Sequence, residues 1–273
     1  MKNNFLHTLV LVSVITFQVS ASNNKSVNER LENPIMVVFD ANDAEYNQYV
    51  KYAVENYWTL NSYIFMPASQ FENAKMNSDN VFLMKAENQS AKDEGTTVYE
   101  DVMQLVYFIK KGKLVTQVAG TPIVKDDMDS KNTVINGVRV LQDKLQFIVY
   151  KEEKEASENT YAKNVESRSD IVKLKKLYIA AEDLDETLSL NDIVSMYEGE
   201  IFLVSRDELN KLIDSKSPDI LFAVVFNRKT SNVSYVNTKQ IVSANSGEVI
   251  YKDETTSVKP QGFTKRDIRD LAE

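Results

Sequence analysis

The strongest constraint on the fold is that one order of predicted elements occurs twice along the chain. In each half, apolar runs typical of buried strands alternate with segments whose apolar residues recur every three or four positions, as in a helix packed on one side. Both halves follow the order β-α-β-α-β-β-β-α. Because strands that alternate with helices form a sheet with helices on its faces, the sequence predicts the α/β (α+β) class. We expect two similar tandem domains, each a mixed sheet with helices packed on it.

The two halves also align in sequence at one point. Residues 63–71 lie over residues 201–209 without a gap, and residues 81–83 lie over residues 220–222 after one inserted residue. In both halves the aligned stretch is an apolar strand followed directly by a helix, which we interpret as an internal duplication. The predicted division is a signal peptide at 1–21, a first domain at 22–150, a linker or helix extension at 151–170 and a second domain at 171–273.

The first 21 residues have the pattern of a secretory signal peptide. Lys2 precedes an apolar run at residues 9–17, and Val19-Ser20-Ala21 places small or β-branched side chains before the expected cleavage site. The run is too short for a transmembrane helix, since crossing a bilayer takes about 20 apolar residues. The sequence therefore predicts a secreted or periplasmic protein with no membrane span after signal removal.

The composition excludes several classes of chemistry. Cysteine is absent, and the one histidine, His7, lies in the predicted signal peptide. Without an imidazole or a thiolate, the mature chain has no Ser-His or Cys-His catalytic pair and no ligands for a typical zinc site. The 40 acidic residues outnumber the 32 basic ones, whereas binding to nucleic-acid phosphates depends on Lys and Arg. We therefore expect no cofactor, no metal site and no nucleic-acid partner.

One part of the second half resembles a known family. The resemblance covers residues 200–253 and rests on a helix that begins Ser205-Arg206-Asp207-Glu208-Leu209, a strand at 219–225 and a hairpin at 241–250. Together these resemble the α/β domains of envelope-assembly proteins such as the curli-secretion pore lipoprotein and the amino-terminal domain of the Tol-system translocation protein. The hairpin turn departs from the family pattern at Ala244. The resemblance implies a mixed sheet with packed helices, and an assembly or binding role at the cell envelope.

The candidate binding residues are aromatic side chains on the first long helix of the first half. An exposed aromatic side chain offers a partner a large contact area and loses little entropy on binding. The same spacing also suits packing in the core, and that alternative stays open. The corresponding helix of the second half lacks this crowding, so the first half is the better binding candidate. The candidate residues are Tyr46, Tyr49, Tyr52, Tyr57 and Trp58.

Three functions remain open. The leading hypothesis is a non-enzymatic binding or assembly protein of the bacterial cell envelope, with an envelope protein partner or self-association. The second is a carboxylate-dependent extracellular hydrolase, in which Glu182-Asp183 and Asp185-Glu186 supply two acidic groups at catalytic separation. The third is a small-ligand-binding module that uses the cleft between the halves. The absence of a recognisable catalytic motif favours the first, although it leaves enzymatic activity undecided.

Overall fold

A computed structural model divides the chain into two compact units, Met1–Leu141 (unit 1) and Gln142–Glu273 (unit 2). The predicted signal peptide at 1–21 lies outside the described residues. The structure confirms the α/β class and the element order β-α-β-α-β-β-β-α in both units. The residues that the structure describes are 25–93, 96–123, 130–151, 156–231 and 233–272.

Unit 1 is built on a five-stranded mixed sheet. Its elements, in chain order, are α1 (Val27–Arg30), β1 (Ile35–Val38), α2 (Ala44–Tyr57), β2 (Tyr63–Met66), α3 (Ala68–Ala74), β3 (Val81–Asp93), β4 (Thr96–Ile109), β5 (Leu114–Ile123) and α4 (Ser130–Lys151). The strand order is β2-β1-β3-β4-β5. The first three strands are parallel, and β4 and β5 follow as antiparallel hairpins. The predicted turn after β4 is present, with Gly112 at a φ of 74°.

Unit 2 repeats this topology. Its elements after α4 are α5 (Glu158–Glu166), β6 (Lys176–Ala180), α6 (Leu190–Met196), β7 (Ile201–Val204), α7 (Arg206–Asp214), β8 (Ile220–Ser231), β9 (Ser234–Ser243), β10 (Val249–Ser257) and α8 (Lys265–Ala272). The strand order β10-β9-β8-β6-β7 is that of unit 1 with each strand replaced by its counterpart. Gly247, at a φ of 78°, forms the predicted turn between β9 and β10.

The pairing of the parallel strands shows which residues of the two units occupy equivalent positions. The equivalent neighbours in the parallel strands are Met36 with Ile64 and Phe82 in unit 1, and Tyr178 with Phe202 and Phe222 in unit 2. Phe82 and Phe222 are therefore equivalent. The alignment of 81–83 with 220–222 paired Phe82 with Leu221 and was wrong by one residue. The cause is helix length, because α7 has nine residues and α3 has seven.

Helices cover the sheets because the strands are apolar on both faces. On the α3 face of unit 1, Phe71, Phe82 and Phe108 meet edge to face, with ring centroids 5.3–5.7 Å apart. On the α7 face of unit 2, Phe222 packs in a cluster with Leu209 of α7. Removing this apolar surface from water is the main force that holds each helix on its sheet.

The segment predicted as a linker at 151–170 contains a packed helix. Helix α5 buries Tyr161 and Val165, and a short 3-10 helix, Ser169–Leu174, follows it. Tyr161 and Val165 are only two apolar residues, four positions apart, and this is too little periodicity to predict a helix from spacing alone. The unit boundary falls after Leu141, inside α4, instead of at residue 150. None of the helices in the described ranges has the length and apolar character needed to cross a membrane.

Candidate functional site

The structure buries three of the five predicted aromatic residues. Tyr46, Tyr57 and Trp58 are each less than one tenth exposed. The indole Nε1 of Trp58 donates a hydrogen bond to Asn61 at 3.0 Å, and the guanidinium of Arg139 lies 4.8 Å from the ring centre of Tyr57. These three side chains are therefore part of the packed interior of unit 1.

The other two aromatic residues, Tyr49 and Tyr52, are half-buried. The Tyr49 hydroxyl donates a hydrogen bond to Glu45 at 2.7 Å, and this bond raises the pKa of the tyrosine. The Lys131 ammonium lies 4.8 Å from the ring centre of Tyr52. Both rings therefore have partners within unit 1, and neither is fully exposed to an outside partner.

A charged cluster lies at the carboxyl end of β1, the edge of an open α/β sheet where ligands commonly bind. The Nζ atom of Lys85 on β3 lies 2.6 Å from Asp43, which caps α2. It lies 3.3 Å from Asp40, which follows β1, and 3.5 Å from Asp101 on β4. One ammonium group thus binds two carboxylates between β1 and α2 and a third on β4.

The electrostatics of this cluster disfavour acid–base catalysis. Burial lowers the pKa of Lys85, but the hydrogen bond to Asp43 and the charges of Asp101 and Asp40 outweigh it and raise the pKa. Lys85 is therefore protonated at neutral pH and is neither a base nor a nucleophile. The hydroxyl of Tyr46 is buried without a hydrogen-bond partner, and burial raises its pKa strongly. In the parts of the chain that are described, no three His, Cys, Asp or Glu side chains are grouped to hold a metal.

The acidic segment at 182–186, on which the hydrolase hypothesis depends, is engaged in local structure. Asp183 is less than one tenth exposed and lies 2.5 Å from the guanidinium of Arg206. Asp185 accepts hydrogen bonds from the hydroxyl and the amide of Thr187, which lower its pKa. A carboxyl group that serves as general acid needs a raised pKa. The shift of Asp185 is in the opposite direction.

An apolar surface that the sequence did not indicate lies in unit 2. We define the α6–β7 surface as Leu190 and Val194, which lie one turn apart on α6. Phe202 of β7 is exposed at the same edge of the sheet but on the opposite face, where it stacks on Tyr178. The exposed fractions of Leu190, Val194 and Phe202 are 50%, 63% and 38%. In sequence these residues have the same apolar spacing as a buried helix and a buried strand, so spacing alone assigns them to the core. The only sequence signal is that α6 is short, with seven residues, which limits what it can cover.

The contacts of α6 place Leu190 and Val194 on the flank that faces away from α8. Asp192, on nearly the opposite side of the helix at 100° per residue, binds Lys265 of α8 at 2.8 Å. Helix α8 lies over β9, because Asp267 of α8 forms an ion pair with Lys239 of β9. The flank of α6 that faces away from α8 therefore lies toward the β7 side of the sheet.

The corresponding helix of unit 1 has no such surface. In α2, Val50, Ala53 and Val54 are completely buried, whereas Leu190 and Val194 of α6 are half or more exposed. Equivalent elements of the two units therefore differ in what they leave open to solvent. This difference marks unit 2, and not the aromatic-rich helix of unit 1, as the better candidate for binding a partner.

Comparisons with family models, with curated proteins and with solved structures find no match to this chain. The geometry of the chain itself is therefore the basis for assigning a function. That geometry offers a cluster of one ammonium and three carboxylates in unit 1 and an exposed apolar surface in unit 2.

Proposed function

We propose that this chain is a secreted or periplasmic, non-enzymatic binding or assembly protein of the bacterial cell envelope. The observation that carries the proposal is the α6–β7 surface, on which Leu190 and Val194 are exposed one turn apart. Adjacent exposed apolar side chains mark interaction sites, because burying them against a partner removes apolar surface from water. Two further points support the envelope role: the signal-peptide pattern at 1–21, and the resemblance of residues 200–253, which include β7, to envelope-assembly domains.

The charged groups favour binding over hydrolysis. The ammonium of Lys85 is held by three carboxylates in unit 1. In unit 2, Asp183 is bound to Arg206 and the pKa of Asp185 is lowered. Carboxylate hydrolases use one carboxyl group with a raised pKa and a second carboxylate nearby. Neither the Lys85 cluster nor the segment with Asp183 and Asp185 has this arrangement. The proposal is therefore for a binding protein.

The double substitution Leu190→Ser/Val194→Ser is expected to abolish partner binding without unfolding the chain. Both side chains are at least half exposed, so their loss leaves the core intact. We expect the tagged mature chain to capture a discrete protein from an envelope extract, and the variant to capture it about tenfold less, a loss of about 1.4 kcal/mol of binding free energy. Quantitative mass spectrometry of the captured proteins measures the difference.

The matched control is Leu174→Ser/Val258→Ser. These two apolar residues of unit 2 are 82% and 79% exposed and lie outside the α6–β7 surface. We expect this variant to capture the same protein as the unchanged chain. Equal loss in both variants, or no capture by the unchanged chain, would contradict the proposal.

A further inference from the structure

Strand β7 is a short edge strand of four residues with no charge, proline or bulge within it to prevent pairing. Among the described residues, β7 pairs with β6 on one side and with no strand on the other. All four of its residues, Ile201–Val204, are apolar. Natural edge strands are commonly protected by a charged side chain, a proline or a bulge, and β7 has none of these within it. Its outer backbone groups can therefore accept a further strand.

Carboxylates lie at both ends of this apolar strand. Glu198 and Glu200 precede it, Asp207 and Glu208 follow it, and all four are exposed. The backbone hydrogen bond from Ser205 is the main cause of the lowered pKa of Glu208, so this carboxylate stays ionised. The edge thus offers a partner an apolar centre between two acidic ends.

The nearby cations leave this acidic character in place. Arg206 is bound to the buried carboxylate of Asp183 at 2.5 Å, and Lys176 approaches Glu200 only to 4.0 Å. Within the described part of the chain, neither Glu198 nor Asp207 takes part in an ion pair. The carboxylates at both ends are therefore accessible to basic groups of a partner.

The equivalent edge of unit 1 has a different charge. Residues 59–70, which contain β2, include no charged side chain, whereas residues 197–208, which contain β7, include four acidic residues and one arginine. The two edges are otherwise alike, since Ile64 and Phe202 occupy equivalent positions and are 48% and 38% exposed. The acidic ends are therefore specific to β7, and β2 serves as an internal control.

We infer that β7 binds an extended segment of a partner protein that has alternating apolar residues at its centre and Lys or Arg on both sides. The segment adds to the sheet of unit 2 as a sixth strand, with backbone hydrogen bonds supplying affinity and the charged flanks supplying specificity. The inference depends on the proposed function and names the chemistry of the partner. A second copy of this chain does not fit, because the ends of its edge strand β7 are acidic and those of its edge strand β2 are uncharged.

Both faces of the added strand would find apolar contacts. On one face, the Phe202 ring stacks on Tyr178 with ring centres 4.9 Å apart, leaving an apolar platform at the edge. On the other face, Ile201 and Leu203 are half-buried in the cluster that contains Ile193 of α6. Because successive side chains of a strand alternate between faces, the apolar residues of the segment pack on one of these faces and the residues between them on the other.

The test uses two fluorescent peptides and the full mature chain. Both peptides have the centre Thr-Val-Thr-Val-Thr, and one carries two lysines at each end where the other carries two glutamates. In anisotropy titrations, we expect the lysine peptide to bind about tenfold more weakly when salt is raised from about 20 mM to about 300 mM, because salt screens exposed charges. The glutamate peptide should not bind. Equal binding of the two peptides, or no binding of either, would overturn the inference.

Two substitutions at equivalent edge positions locate the binding. Phe202→Asp places a negative charge in the apolar centre of β7 and should reduce lysine-peptide affinity at least about tenfold, whereas Ile64→Asp on β2 should leave it unchanged. Equal effects of the two substitutions would contradict strand addition at β7. If Leu190→Ser/Val194→Ser still abolishes envelope capture while the peptides do not bind, the proposed function stands and this inference fails.

Discussion

Replacing Asp267 by alanine is expected to lower the free energy of unfolding by about 3–5 kcal/mol. Asp267 and Lys239 form an ion pair at 2.5 Å, and both side chains are only 2% exposed. The same carboxylate accepts a hydrogen bond from the Thr264 amide at 2.6 Å at the start of α8. The substitution leaves a buried ammonium without its counter-ion and removes the carboxylate that binds the Thr264 amide at the start of α8, and each loss destabilises the folded state.

Urea unfolding followed by circular dichroism measures this loss, and two further variants identify its cause. Lys239→Met in the Asp267→Ala background should recover much of the stability, because no unpaired charge then remains buried. Asp192→Ala is the partly exposed counterpart: Asp192 completes the capping box of Ser189 at the start of α6 and binds Lys265 at 2.8 Å, and we expect a much smaller loss. If Asp267→Ala and Asp192→Ala lower the free energy of unfolding equally, the buried ion pair does not contribute more to stability than the surface pair.

Replacing Asp143 by alanine is expected to cost a similar amount, about 3–5 kcal/mol. The carboxylate is 2% exposed. It accepts hydrogen bonds from the Tyr161 hydroxyl at 2.7 Å, from Arg168 at 3.0 Å and from the Val249 amide at 3.2 Å. Without it, two buried donors and a guanidinium lose their acceptor at once. Because a buried donor without a partner carries its full desolvation cost, the loss exceeds that of an ordinary hydrogen bond.

Hydrogen exchange locates the effect of Asp143→Ala. The amides at the start of β10, where Val249 is bound, should exchange faster than in the unchanged chain. The matched control is Glu158→Ala, since Glu158 lies on α5 and binds Lys144, the neighbour of Asp143, at 3.2 Å but is exposed. We expect little change in that variant. Unchanged protection of β10 in Asp143→Ala would show that the network does not hold this strand.

The element order could be predicted because alternating strands and helices have strong and different spacings. The α5 helix could not, because only Tyr161 and Val165 mark its buried side. The full lengths of β3 and β4 were also missed, since the outer part of this hairpin, beyond Glu87 and Asp101, is polar and lacks the apolar pattern of a core strand.

The candidate site could not be predicted for a different reason. Spacing shows which residues share a helix face but not whether another element covers that face. Val50 and Val54 are buried in α2, while Leu190 and Val194, with the same spacing, are exposed in α6. Contacts between residues distant in sequence make this difference, and a single sequence does not contain them.

Site-specific photo-crosslinking in cells tests the central claim most directly. A photo-reactive amino acid replaces Val194 on the α6–β7 surface or, as the control, Lys51, an exposed residue of α2 in unit 1. The account predicts a discrete adduct with an envelope protein from position 194 and none from position 51. The same adduct from both positions, or no adduct from position 194 in cells that export the chain, would contradict the claim that unit 2 binds a partner through this surface.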